Sequence, residues 1–142
     1  MTRDLAVQLY SLRQMAEKDF NAVLQTVADI GFKAVEPAGF WGMTPEEFLK
    51  RIADLGLKLY SSHSPWAKAD NLAETIDIAG RLGLDRVVCG YGPDDYKDLD
   101  AIKRTAETTS MMQEKREKAG LMPFHHNPNW EFERIGGQLQ TE

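Results

Sequence analysis

Four times in this chain a glycine follows a helix-like stretch and opens a short apolar run. The segments are Gly31-Phe32-Lys33-Ala34-Val35-Glu36, Gly56-Leu57-Lys58-Leu59-Tyr60, Gly83-Leu84-Asp85-Arg86-Val87-Val88 and Gly120-Leu121-Met122-Pro123-Phe124-His125-His126. Glycine takes the left-handed conformation that stops a helix at little cost, and a buried strand follows at once. Helix, stop and strand repeated at this pace is the pattern of stacked βα units around a parallel sheet.

With a first strand over residues 5–10, the pattern predicts further strands at 33–37, 57–62, 86–90 and 121–126. Between them, a helix from about Asp19 carries Phe20, Val23, Leu24, Val27 and Ile30 on one face at spacings of three and four. Thr44-Pro45-Glu46-Glu47 is a helix start: Thr44 caps, Pro45 suits the first turn and Glu47 completes a capping box, with Phe48, Ile52 and Leu55 on the apolar face. A third helix runs from Asp70 or Asn71 to Leu82, and a long one spans 99–118. In the long helix Ile102, Ala106 and Met112 form a weak apolar face, while Lys115-Arg116-Glu117-Lys118 and, before it, Asp94-Asp95 read as solvated surface. No sixth strand is expected after the fifth.

Two architectures fit: a doubly wound five-stranded sheet, or the N-terminal part of an eightfold (β/α) TIM barrel, a fold of about 250 residues. The doubly wound sheet lacks its mark, a glycine-rich phosphate loop after strand one, where Tyr10-Ser11-Leu12-Arg13 stands instead. Every strand ends in polar or aromatic groups: Tyr10-Ser11, Glu36, His63, Tyr91 and His125-His126-Asn127. In a barrel these converge on one mouth. The expected fold is therefore α/β, a partial TIM barrel of five parallel strands with outer helices, forming one domain over 1–142.

Bulk properties narrow the setting. A single cysteine, Cys89, excludes an intramolecular disulfide framework and reads as a small buried hydrophobe. The N-terminus leads straight into a strand, so no secretory signal is expected, and no apolar run approaches the ~20 residues that span a bilayer. The net charge of −5 argues against nucleic acid as a partner. A cytoplasmic protein without membrane contact is the expectation.

Among the strand-end residues, Glu36 closes an apolar strand where an unpaired carboxylate is costly, so it is either functional or held in a salt bridge. His63 is a site residue or a loop histidine bonded to backbone. His125 and His126 are adjacent on a strand and point to opposite faces, so they cannot readily share a metal; His126 is the site candidate, and His125 is expected to pack beneath a helix or loop. Trp41, Trp66 and Trp130 lie just past strand ends, where they either wall a sugar site or cover the barrel top. Glu131 is either a ligand-shell group or, more ordinarily, the partner of a surface lysine.

Gln8-Leu9-Tyr10-Ser11, the Ile30–Glu36 segment, the Thr44 helix start and Ser62-His63 together resemble the xylose-isomerase-like TIM barrels, more closely their sugar phosphate isomerase/epimerase branch. That branch commonly ends strand five in a His-Asn-His-Asn-Phe-Glu-Phe type motif, and His126-Asn127-Pro128-Asn129-Trp130-Glu131-Phe132 stands in that place. The resemblance runs from about residue 5 to 133. It implies proton transfer beside a sugar carbonyl, or metal-assisted hydride transfer, on a sugar or sugar phosphate. Glu36 and His63 would be catalytic, and Tyr10, Trp66, His126 and Asn127 would bind substrate. A divalent metal (Mn, Mg, Zn or Co) is implied, with His126 at a ligand position. Two departures stand out: metal-binding relatives commonly have glutamate at His126, and Pro128 replaces the motif's second histidine. Strands six to eight have no counterpart, so the chain alone is expected to be inactive and, with open strand edges, a homo-oligomer. The alternative is a non-catalytic sugar- or ligand-binding half barrel that self-associates. A DNA-repair endonuclease of the same superfamily needs more histidines than three and a positive face.

Overall fold

The computed structural model describes residues 4–63, 65, 67–126, 132, 134–135 and 138–139. Five strands carry the architecture: β1 (Ala6–Gln8), β2 (Ala34–Glu36), β3 (Lys58–Leu59), β4 (Arg86–Cys89) and β5 (Met122–His125). β1, β2 and β3 pair in parallel in that order, and β4 pairs in parallel with β5. An isolated parallel bridge pairs Ala67, in the segment after β3, with Cys89 of β4. Helices α2 (Phe20–Ile30), α3 (Pro45–Asp54), α4 (Leu72–Arg81) and α5 (Leu99–Lys118) follow the first four strands, with a short α1 (Arg13–Ala16) inserted after β1. The fold is part of a TIM-type α/β barrel.

Local chemistry sets the helix ends. The Asp19 carboxylate accepts from Ala22 N at 2.9 Å and caps α2. Thr44 and Glu47 complete the reciprocal capping box of α3, and Asp98 caps α5 through Ala101 N. All four predicted stops, Gly31, Gly56, Gly83 and Gly120, have positive φ. At Gly31 (φ 104°) a Cβ would meet no atom within 4 Å, so the backbone conformation, not crowding, selects glycine there.

Alternation along the strands separates two faces. Val7, Val35 and Leu59 turn to the helices and pack with Phe20, Val23, Leu24, Val27, Phe48 and Ile52. Phe48 is fully buried between Phe20 and Phe40, at ring-centroid distances of 6.0 and 5.5 Å. Gln8 and Glu36, register partners on β1 and β2, belong to the opposite face.

Four expectations need correcting. Ile30, predicted on the buried face of α2, is exposed, because it lies in the last turn next to the Gly31 stop. Ala106 is exposed on α5. Arg116, read as solvated, is completely buried: α5 turns it toward β4 and the Cys89 sulfur. Beyond β5 the chain forms an antiparallel ladder of β6 (Arg134–Ile135) and β7 (Gln138–Leu139), pairs too short to show a sequence period. Among the described residues no helix is long and apolar enough to cross a membrane.

Candidate functional site

The C-terminal ends of β1, β2, β3 and β5 bring their polar residues together. Gln8, Tyr10, Ala38, His63 and His126 line a cavity of about 290 Å³, near the lower end of the range for small-molecule sites. His63 reaches it because its backbone N–H bonds Pro37 O at 2.9 Å, tying the segment after β3 to the end of β2. His126 arrives from the other sheet, its N–H on Cys89 O at 2.8 Å, so β5 pairing continues one residue past the strand. The two imidazoles meet edge to face, with centroids 5.1 Å apart and planes at 88°.

Glu36 is next to this cavity and touches it through two lining residues. Its Oε1 accepts from Gln8 Nε2 at 2.7 Å and lies 2.6 Å from His63 Nδ1, while Ser61 Oγ donates to Oε2. Gln8 Nε2 also lies 3.0 Å from His63 Nδ1. Both atoms are donors when Nδ1 carries its proton, and the shorter contact is the one to the carboxylate. The arrangement therefore places the Nδ1 proton on the Glu36 side. The side chains of His63 and Glu36 are only 12% and 18% exposed. Burial pushes the Glu36 pKa up, but hydrogen bonds from His63, Ser61 and Gln8 outweigh it and hold the group at about 2. Glu36 is a fixed anion.

Tyr10 is half exposed at the cavity rim, with the Arg13 guanidinium 4.3 Å from its ring centroid. Arg13 also donates to Tyr10 O at 3.0 Å. Trp41 does not line this cavity. Its ring packs 4.7 Å from Phe20, in a residue held at φ 43°, so it covers the helix layer. Trp66, Asn127, Trp130 and Glu131 lie outside the described residues. His125 faces away from His126 as alternation requires, yet it is exposed instead of packed beneath a helix, 5.8 Å from the Tyr91 ring.

Comparison with solved structures places this fold. The chain superposes on a sugar phosphate isomerase/epimerase from Parabacteroides distasonis with a TM-score of 0.74 and 22% identity, covering 99% of this chain and 60% of that one. The fold is that of the xylose-isomerase-like TIM barrels. A xylose isomerase-like TIM barrel/4-hydroxyphenylpyruvate dioxygenase fusion protein matches at TM-score 0.66 and 15% identity, over 88% of this chain and 22% of that one. An AP endonuclease, family 2, from Brucella melitensis matches at 0.65 and 14%, over 87% and 55%. The chain thus spans about 60% of the length of the isomerase/epimerase structure it resembles, and identities this low speak to fold alone. No protein-family model matches the chain, and no curated protein matches it significantly.

Xylose-isomerase-like barrels often hold a divalent metal, but the described part of this mouth does not supply a ligand set. Among the described residues no three His, Cys, Asp or Glu side chains come together, and the nearest carboxylate, Glu36, is already taken by three hydrogen-bond partners. Sequence reasoning singled out Glu36, His63, Tyr10 and His126, and all four gather here. It missed Gln8 and Ser61 as partners of Glu36. Gln8 stands in the Gln8-Leu9-Tyr10-Ser11 segment, but its pairing with Glu36 follows from strand register, which the sequence does not display.

Proposed function

We propose that this chain carries part of a sugar or sugar phosphate isomerase/epimerase site, in which His63 moves a proton next to a sugar carbonyl and Glu36 holds its ring. The 2.6 Å contact between Glu36 and His63 Nδ1, beside a cavity open to a small polyol, carries the reading. A carboxylate with a pKa of about 2 is a poor general base near neutrality. Its use is to fix the imidazole tautomer and to stabilise the imidazolium once the ring accepts a proton. Tyr10, His126 and Gln8 would hold sugar hydroxyls, with Trp66 and Asn127 as further substrate contacts. Arg13 over Tyr10 offers a cation for a phosphate at the rim. A divalent metal at His126 would draw its remaining ligands from outside the described residues.

The second reading, a non-catalytic binding half barrel, is favoured by a different observation. Glu36, the carboxylate beside the cavity, is held as an anion by its hydrogen-bond donors and is not free to carry a proton near neutrality. The experiment that separates the two is deuterium wash-in. A panel of ketoses and sugar phosphates is incubated in D₂O with the protein and Mn²⁺, Mg²⁺, Zn²⁺ or Co²⁺ in turn. Slow exchange at the carbon next to the carbonyl, above the protein-free blank and absent with His63→Gln, supports proton transfer. Binding with exchange at the blank level for every sugar rejects it in favour of the binding module.

A further inference from the structure

On the opposite face of β4 and β5 from the cavity lies a second polar cluster, beneath α5. Arg116 is 0% exposed, and its Nη1 donates to the Cys89 sulfur at 3.4 Å. Its Nε bonds Met112 O within the helix, and its Nη2 is buried with no hydrogen-bond partner among the described residues. No carboxylate pairs with it among those residues. A permanently charged guanidinium is costly to bury in this state, and an unmet donor adds to that cost. The sulfur is held from two further directions: Sγ donates to Phe124 O at 3.5 Å, and His125 Nδ1 lies 4.0 Å away. Cys89 and His125 are register partners, so the sheet itself sets this approach.

We propose that Cys89 is a site of oxidation by hydrogen peroxide, with the sulfur oxygen so formed taking the unmet Nη2 donor of Arg116. In the step, sulfur attacks one peroxide oxygen. The S–O bond forms and the O–O bond breaks, sulfur gives up two electrons to the peroxide, and the thiol proton leaves with the second oxygen as water. The guanidinium beside the reacting atoms stabilises the negative charge that develops on the departing oxygen, as electropositive surroundings do at reactive cysteines. Its planar fork then presents Nη1 and Nη2 to the sulfenic acid together. The chain has one cysteine, so no internal disulfide follows, and the oxygen stays on sulfur or is joined by a second. Cys89 is 2% exposed and packs in one cluster with Ala67, Leu72 and Met112, with Ile76 against them, and peroxide is little larger than water. Local opening beneath α5 admits it.

The test needs no variant to begin with. Thiol loss and the mass gain of one oxygen are followed with hydrogen peroxide at one pH, for the native protein and for the protein unfolded in urea. A shielded, inert cysteine reacts more slowly in the native state. The proposal expects the native thiol to react faster, on the order of tenfold, with a dimedone-type adduct that Cys89→Ser abolishes. A native rate equal to or below the unfolded rate overturns it. Arg116→Met should lose the native advantage, and Arg116→Lys, which keeps the charge, is used where the Met variant fails to fold. A folded Arg116→Met that oxidises at the wild-type rate also overturns it.

Discussion

His63 Nδ1 lies 2.6 Å from Glu36 Oε1, across 27 positions of sequence, because the segment after β3 is tied by its backbone to the end of β2. Neither residue alone would explain the other. A carboxylate so placed is kept ionised by its three donors, and an imidazole so placed has one ring nitrogen fixed.

That pairing has a signature in acid. Glu36 titrates at about 2 in the folded chain against an ordinary 4.5. Between those values the unfolded chain binds the extra proton, so the stability Glu36 contributes is complete above pH ~4.5 and is lost as pH falls through about 2. The ceiling is about 3 kcal/mol. Urea unfolding from pH 6 to pH 2 should show wild type losing more stability than Glu36→Gln. Glu46 is also lowered to about 2 by its exposed ion pair with Arg81, and 0.5 M salt should weaken that contribution while sparing Glu36's.

The helix-facing core predicts a contrast between two aromatic or aliphatic truncations. Phe48→Ala empties a fully buried site between Phe20 and Phe40 and should cost about 3–5 kcal/mol. Ile30→Ala, at an exposed position, should change stability by less than about 0.5 kcal/mol. Chemical denaturation of both variants checks the pair. A small loss at Phe48 would mean that the α2–α3 layer is not packed as described.

Leu5, Met122 and Phe124 are 71%, 49% and 45% exposed, beside or on β1 and β5, each of which has one strand partner among the described residues. Strand edges and apolar faces of this kind recruit other chains. The isolated 142-residue chain should therefore self-associate at micromolar concentration, measured by light scattering. Met122→Lys with Phe124→Lys should shift it toward monomer. A stable wild-type monomer with no dye-detectable apolar surface would contradict this.

Net isomerisation by the same chain should stay well below the ~1 s⁻¹ at the low end of ordinary enzymes. Positioned acid–base groups contribute typically about 10²–10⁴-fold each, and Glu36, the carboxylate at the described mouth, is held as an anion with a pKa of about 2. Turnover at or above that rate on any ketose or sugar phosphate, lost in His63→Gln, would show a complete catalytic site instead.

Local signals made much of this fold legible. The four glycine stops, the Thr44 capping box and the span of α5 all depend on residues within one helical turn, and the structure has each of them. The polar strand ends were legible for the same reason, since a βα repeat sends them to one side. What sequence did not give depends on register and long-range packing. Arg116 looked solvated among Lys115, Glu117 and Lys118, and only the placement of α5 against Cys89 buries it. Gln8 joined the site through its pairing with Glu36, which nothing on β1 alone announces.

The claim at the centre is that a sugar or sugar phosphate enters the cavity lined by His63 and His126. The chain has three histidines, and the third, His125, faces the other side of the same strand and serves as an internal control. Histidine-ring NMR signals recorded while ketoses and sugar phosphates are added in turn test it directly. The account predicts that at least one such ligand shifts His63 and His126 while His125 stays in place, with the shift weakened in Tyr10→Ala. No shift with any sugar, or movement of His125 in step with the other two, would contradict it.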